Sequence, residues 1–271
     1  MLPLKIGACL RIDEIAQHRN WLFDADRDIE IQDFTSHTAL LHSRKDIVNA
    51  ALQALEGYTG RIGIHGPYEG LDIDNKDPAI QSIITERFLL AMEAAEAIGA
   101  RQMVLHSPYT LWFQNNIHNW PGYGEAKLNR IHRILVPVVK RAEETGIQLV
   151  IENIQDVDPS MRRKLAESFD SQMVSLSVDT GHAQLARRMS GAPPVDYFIR
   201  DAGLLLDHVH LQDVDGHADR HSPPGEGEIE WPAVFRAIAD SGSSPHLVLE
   251  LRDKAKMTEG FAYLESLGLA E

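Results

Sequence analysis

A chain of 271 residues is long enough to bury a sizeable core and has the usual size of a one-domain α/β barrel, so length alone does not call for two domains. With 44% hydrophobic and 24% charged residues the composition is that of an ordinary soluble globular protein. Lys and Arg number 26 against 40 Asp and Glu; the resulting charge of −14 argues against a broad polyanion-binding face, and no nucleic-acid partner is expected.

The opening run, Met1–Ile6, lacks the charged segment, long apolar stretch and small-residue cleavage site of a signal peptide. No apolar run approaches membrane-spanning length. The single cysteine, Cys9, rules out an intrachain disulfide and suits a reducing compartment. A cytoplasmic protein without a membrane partner is the expectation.

Short apolar runs alternate with helical patterns along the chain. The first candidate strands are Leu4–Cys9, Asp28–Phe34 and Arg61–His65. The clearest helix follows, Pro78–Ile98, with a stripe of Ile80, Ile83, Ile84, Phe88, Ala91, Met92 and Ala95; Pro78 suits its first turn and Gly99 its cap. After the strand Gln102–His106 comes a long loop carrying Trp112, Phe113, Trp120 and Tyr123 among Asn115, Asn116 and Asn119. A second helix, Leu128–Thr145, closes at Gly146 and should kink or split at Pro137. Strands Gln148–Asn153, Val174–Asp179 and His208–Gln212, the short helix Pro232–Ser241 capped by Gly242, and strand His246–Leu251 complete the series. Strand then helix, repeated about eight times, predicts a closed (β/α)8 TIM barrel, α/β in class and a single domain over 1–271. An open doubly wound sheet would carry a phosphate-binding glycine loop after its first strand, which Gly7-Ala8-Cys9-Leu10 does not supply.

The main signal stands at the strand ends. The third strand ends in His65, the fourth in His106, the fifth in Glu152-Asn153 and the sixth in Asp179-Thr180-Gly181-His182. The seventh carries His210 and runs on to Asp219-Arg220-His221; the eighth ends in Glu250. A barrel gathers such positions at its C-terminal mouth, where active sites of this fold lie. Five imidazoles and four carboxylates, without a thiolate, are the ligand chemistry of a zinc- or manganese-class ion. Taken singly, each has a plainer role: a hydrogen-bonded histidine, a carboxylate paired with Arg252, or an Asp-Thr-Gly turn. Together they would bury more ionisable groups than unpaired burial tolerates, and a bound cation is the simplest compensation. His208, two residues before His210, faces the same side one layer deeper and reads as structural. The aromatics after the fourth strand read equally as a substrate lid or as a plug on the rim. Pro223-Pro224-Gly225-Glu226-Gly227 shapes the loop after His221 and is no phosphate loop, because it lacks the Lys-Ser/Thr end.

The runs HGPY (65–68), LVIEN (149–153), SVDTGH (177–182), HVHLQD (208–213), DRHSPPGEG (219–227) and LVLEL (247–251) resemble the xylose-isomerase-like barrel superfamily, in order and over nearly the whole chain. That group includes sugar isomerases and epimerases, inosose dehydratases and the endonuclease IV family. The epimerase resemblance implies one Mn-like ion held by Glu152, Asp179, His210 and Glu250, the two glutamates also passing the proton. The endonuclease IV resemblance implies three zinc ions: one at His65, His106 and Glu152, one at the four residues just named, and one at His182, Asp219 and His221. Tyr68 matches a DNA-contacting tyrosine of that branch. Ser107-Pro108 and Gly181 depart from it, where it typically has Pro-Gly and Cys. No Lys/Arg cluster suggests a DNA-tracking groove.

The resemblance therefore implies a metal-dependent sugar or keto-sugar isomerase or epimerase, with an endonuclease IV-like multi-zinc phosphodiesterase of abasic DNA as the alternative. The cofactor would be one to three Mn, Zn, Co or Mg ions. Tyr68, Trp112 and Phe113 are the substrate-lid candidates, and assembly into a homo-oligomer stays open.

Overall fold

A computed structural model describes residues 3–271; Met1 and Leu2, part of the opening run considered above, lie outside the described residues. Eight parallel strands close into a barrel in sequence order: β1 (Gly7–Leu10), β2 (Ile29–Ile31), β3 (Ile62–His65), β4 (Gln102–His106), β5 (Gln148–Glu152), β6 (Val174–Asp179), β7 (Leu206–Leu211) and β8 (His246–Leu249). β8 pairs with β1 through Gly7↔Val248 and Ala8↔Leu249, which closes the ring. Helices cover the outside, so the strands are buried on both faces and read as near-continuous apolar runs.

Register brings the strand ends level. His106 pairs with Glu152, and Asp179 with His210, so ligand-type side chains from neighbouring strands stand at one height. Glu250 lies one residue beyond β8, with its N–H donating to Leu211 O at 3.1 Å. β1 begins later than expected. Leu4 makes only an isolated bridge to Ala270, because its N–H is taken by Leu269 O across the base of the barrel.

The predicted helices form, each with a difference. In Pro78–Ala97 the buried face runs through Gln81, Ile84, Phe88 and Ala91, leaving Ile80 and Ile83 exposed. The stripe set by Ile84, Phe88, Ala91 and Ala95 leaves the two isoleucines at its margin, and Gln81 on the buried side donates its amide to Asn75 O at 2.7 Å. The second helix starts earlier, at Tyr123, and runs unbroken to Thr145 through Pro137; Gly146 ends it at φ 71°. Pro137 removes one backbone bond without splitting it, since the apolar face from Ile131 to Ala142 packs continuously. The third helix spans Trp231–Asp240, one residue earlier than expected. Among the described residues no helix is long and apolar enough to cross a membrane.

Candidate metal centre

All nine strand-end candidates meet at the C-terminal mouth, in three groups, two of which share Glu152. His65, His106 and Glu152 form one; Glu152, Asp179, His210 and Glu250 the second; His182, Asp219 and His221 the third. Within each, the ligand-type atoms lie within 4.8 Å of one another.

In the second group His210 is central. Its Nδ1 stands 3.1 Å from Glu152 Oε1, 3.3 Å from Glu250 Oε2 and 4.0 Å from Asp179 Oδ2. In the first, the Nε2 atoms of His65 and His106 are 3.3 Å apart, and Glu152 Oε2 lies 3.7 and 3.6 Å from them. That oxygen is buried and has no hydrogen-bond partner. In the third, Asp219 Oδ1 is 3.5 Å from His182 Nε2, and Asp219 Oδ2 is 3.1 Å from His221 Nε2.

Four imidazoles are held by the nitrogen that faces away from these groups. His65 Nδ1 contacts Gly66 O at 2.9 Å, His182 Nδ1 contacts Asn153 O at 3.1 Å and His221 Nδ1 contacts Glu250 O at 3.1 Å. A carbonyl only accepts, so each of these nitrogens carries a proton, and Nε2 is the atom turned toward the centre. His210 is reversed: its Nε2 faces Glu30 Oε1 at 3.0 Å, and its Nδ1 faces the three carboxylates. Anchoring the far nitrogen in this way is what metal-ligating histidines require. An orphaned carboxylate oxygen between two imidazoles, with pre-set tautomers around it, fits a divalent cation.

Electrostatics agree with that fit. Burial alone would raise the Glu152 carboxyl, but the charge of His210 and hydrogen bonds from His182, His210 and His65 hold it well below the usual range. Burial raises Asp179 to about 6. Burial pushes His106 down to about 3, Glu152 only partly opposing it, so this imidazole is neutral at pH 7. His221 is raised to about 9 against its burial, chiefly by Asp219. Protons on imidazoles therefore balance the carboxylates here, and a bound cation would displace them.

The residues that hold these ligands were not singled out by the sequence. Glu30, in β2, is buried below His210; its Oε2 lies 2.9 Å from His208 Nε2, and its Oε1 accepts from Cys9 Sγ at 2.9 Å. His208 has the deeper position expected of it, with its other nitrogen 2.8 Å from Ser177 Oγ. Period two would have revealed Glu30: Asp28, Glu30 and Gln32 share one face of a strand whose intervening residues are isoleucines. Gln32 donates to Glu250 Oε1 at 2.7 Å. Gln212 donates to Asp179 Oδ1 at 3.1 Å and reaches Asp219 Oδ1 at 3.3 Å. A Cβ on residue 181 would come within 2.3 Å of the Gln212 amide, which explains the glycine there. Arg162, fully buried, donates to Ile151 O at 3.0 Å, to Ser177 O and to Asn153 Oδ1, bracing β5 and β6 just under Glu152 and Asp179. Asp213 shapes the seventh loop. Its carboxylate accepts from Val214 N at 3.0 Å, Gly225 N at 2.9 Å, Ile229 N at 3.2 Å and Trp231 Nε1 at 3.0 Å.

The aromatic candidates separate. Tyr68 stacks on His106 at 4.4 Å beside the mouth. Trp112 and Phe113 lie on a short helix, Leu111–Asn116, instead of a loop. Trp112 is 59% exposed and stacks on Trp120. Phe113 is only 3% exposed, packed against Tyr109 and Tyr123, so it plugs the rim and has no free face for a lid.

A family model described as a xylose isomerase-like TIM barrel matches residues 27–267. Among curated proteins, an inosose dehydratase of Lacticaseibacillus casei is 25% identical over 205 residues, covering 65% of this chain and 65% of that enzyme's length, a little under two thirds. Among solved structures, a D-tagatose 3-epimerase-like protein superposes with a TM-score of 0.78 at 20% identity, covering 97% of this chain and 96% of its own. A Thermus thermophilus protein soaked with ZnCl2 gives 0.74 at 23% identity, covering 97% and 98%. At these identities the two superpositions are likenesses of fold.

Proposed function

The chain belongs to the xylose isomerase-like TIM barrel family, and from that premise we propose that it is a divalent-metal-dependent isomerase or epimerase of a sugar, keto-sugar or related polyol. The observation that carries this reading is the meeting of Glu152 and Glu250 at one imidazole, 3.1 and 3.3 Å from His210 Nδ1. They reach it from β5 and from the end of β8, three strands apart in the closed ring, so a substrate between them meets carboxylates from different sides.

Glu152, Asp179, His210 and Glu250 would hold the metal, which when bound supplies Lewis-acid polarisation of vicinal substrate oxygens and so acidifies the adjacent C–H. One glutamate accepts that proton on a carboxylate oxygen and the other returns one to the carbon. Glu152 Oε2, buried and unpartnered, is the oxygen free to do so on one side. Gln32 steadies Glu250 Oε1 and leaves Oε2 toward the centre. His182, with Nδ1 fixed by Asn153 O, presents Nε2 to orient a substrate oxygen. The surrounding barrel keeps Glu152 and Asp179 out of water, which strengthens each of these interactions.

The test is a screen of free and phosphorylated ketoses in deuterated water with Mn, Co, Mg or Zn, read by NMR for solvent deuterium entering the substrate. Glu152→Gln should abolish exchange with the fold intact; full activity in a well-folded Glu152→Gln protein would sink the assignment.

One observation favours a second reading, a multi-zinc phosphodiesterase: the nine side chains divide into three groups, two of which share Glu152. Metal content separates the two readings, about one tightly bound ion per chain for the isomerase and about three for the phosphodiesterase. A nicking assay on abasic DNA at moderate salt tests the latter directly.

A further inference from the structure

The space over the glutamates is small. The cavity that reaches Glu152 and Glu250 has a volume of about 190 Å³. Ordinary small-molecule sites run from about 300 to 1,000 Å³. It has room for a single sugar ring and little more. It does not end there. A second cavity of about 420 Å³ shares Tyr68, His106 and Ile154 with it, so the two adjoin at a junction formed by these three residues.

The lining of the outer part is of a different kind. Tyr109, Trp112, Phe113 and Tyr123 stand along it. Trp112 is held in place, stacked on Trp120 at 6.2 Å and edge-on to Tyr123 at 6.3 Å, yet more than half of it faces solvent. At the junction Tyr68 is 40% exposed while its ring is fixed against His106. Rigid, solvent-facing aromatic rings beside hydroxyl-binding groups suit the alternating apolar faces and polar edges of a sugar ring.

Charge narrows the ligand further. Among the described residues that line the two cavities, Lys127 is the only Lys or Arg. Its ammonium is buried, bonded to Asp74 and 4.8 Å above the Phe113 ring. Asp72 adds a second carboxylate. A phosphate placed in the outer cavity would find no free cation and two acids.

We propose that the outer cavity is a second saccharide subsite, and that the substrate is an uncharged glycoside or disaccharide. Its reacting ring lies over Glu152 and Glu250, and its second ring lies along Trp112. The inference rests on the isomerase reading for what happens in the inner cavity, but the subsite itself is a matter of binding.

The experiment uses the full chain loaded with Mn²⁺. Glucose, galactose and fructose are compared with cellobiose, maltose, lactose and sucrose, and with glucose 6-phosphate, by tryptophan fluorescence titration and saturation-transfer NMR. At least one disaccharide should bind about tenfold more tightly than either of its component sugars, and the phosphate ester should bind no better than glucose. Trp112→Ala should erase most of that ratio and Trp112→Phe should restore part of it, with circular dichroism confirming the fold. The proposal is overturned if no disaccharide outbinds its components, or if the ratio survives Trp112→Ala. Deuterium exchange into a monosaccharide without any disaccharide preference removes the subsite and leaves the isomerase. Disaccharide preference lost in Trp112→Ala, without exchange into any sugar, removes the isomerase and leaves the subsite.

Discussion

Replacing Glu30 by Gln changes one charge and almost no volume at the point where His210 is oriented. In the parent, Glu30 Oε1 faces His210 Nε2 at 3.0 Å and Oε2 faces His208 Nε2 at 2.9 Å. A glutamine oxygen can still accept from His210, and its amide can donate to His208 once that ring changes tautomer and turns an N–H to Ser177 Oγ, 2.8 Å from its Nδ1. Every hydrogen bond can therefore be kept, and only the negative charge behind His210 is lost. Removing such an outer carboxylate costs about 10- to 100-fold in metal affinity, roughly 1.4 to 2.7 kcal/mol. Glu30→Gln should fall near the lower end, because the orientation survives. Glu30→Leu, which removes the acceptor as well, should fall near the upper end. Competition with a chromophoric zinc chelator at fixed pH gives both dissociation constants, and thermal melts of the metal-free proteins check the fold. Parent-like affinity in both folded variants refutes the idea that Glu30 sets His210 for a metal.

Arg162→Leu should destabilise the protein by about 3–5 kcal/mol, since it leaves Asp156 buried without its counter-charge and unties β5 from β6; urea denaturation measures this, and a loss under about 1 kcal/mol would contradict it. Burial, with Arg61 and His208 nearby, pushes His246 down to about 3 from an unperturbed 6.5. The unfolded chain therefore binds that proton first, so stability present above pH 6.5 is lost as pH falls toward 3, at up to about 1.4 kcal/mol per pH unit. His246→Gln should make the acid limb of a stability–pH curve shallower, and an unchanged slope would count against the assignment. Gly181→Ala should cost about 1–3 kcal/mol and weaken metal binding, because the new methyl meets the Gln212 amide that holds Asp179. Adding Gln212→Ala should relieve part of the stability loss, and simple additivity of the two changes would argue against the clash.

The amino-acid sequence by itself determined the architecture and where chemistry would gather. Apolar runs recurring between helical stripes specify a barrel, because strands covered on both faces must be apolar along their length, and a barrel assembles strand ends into one mouth. His65, His106, Glu152, Asp179, His182, His210, Asp219, His221 and Glu250 could be picked out for that reason. Only the tertiary structure decided what surrounds them. Strand period can place Glu30 and Gln32 on one face, but their partners, and those of Gln212, are set only when the ring closes and puts Glu30 under His210, Gln32 beside Glu250 and Gln212 between Asp179 and Asp219. Phe113 and Trp112 are adjacent in sequence, yet one is buried and the other faces solvent, because a helical turn points neighbouring side chains in different directions. Periodicity along one strand or helix is a local property that residue order can carry. Contacts between strands far apart in the chain arise only from the register and curvature of the closed barrel.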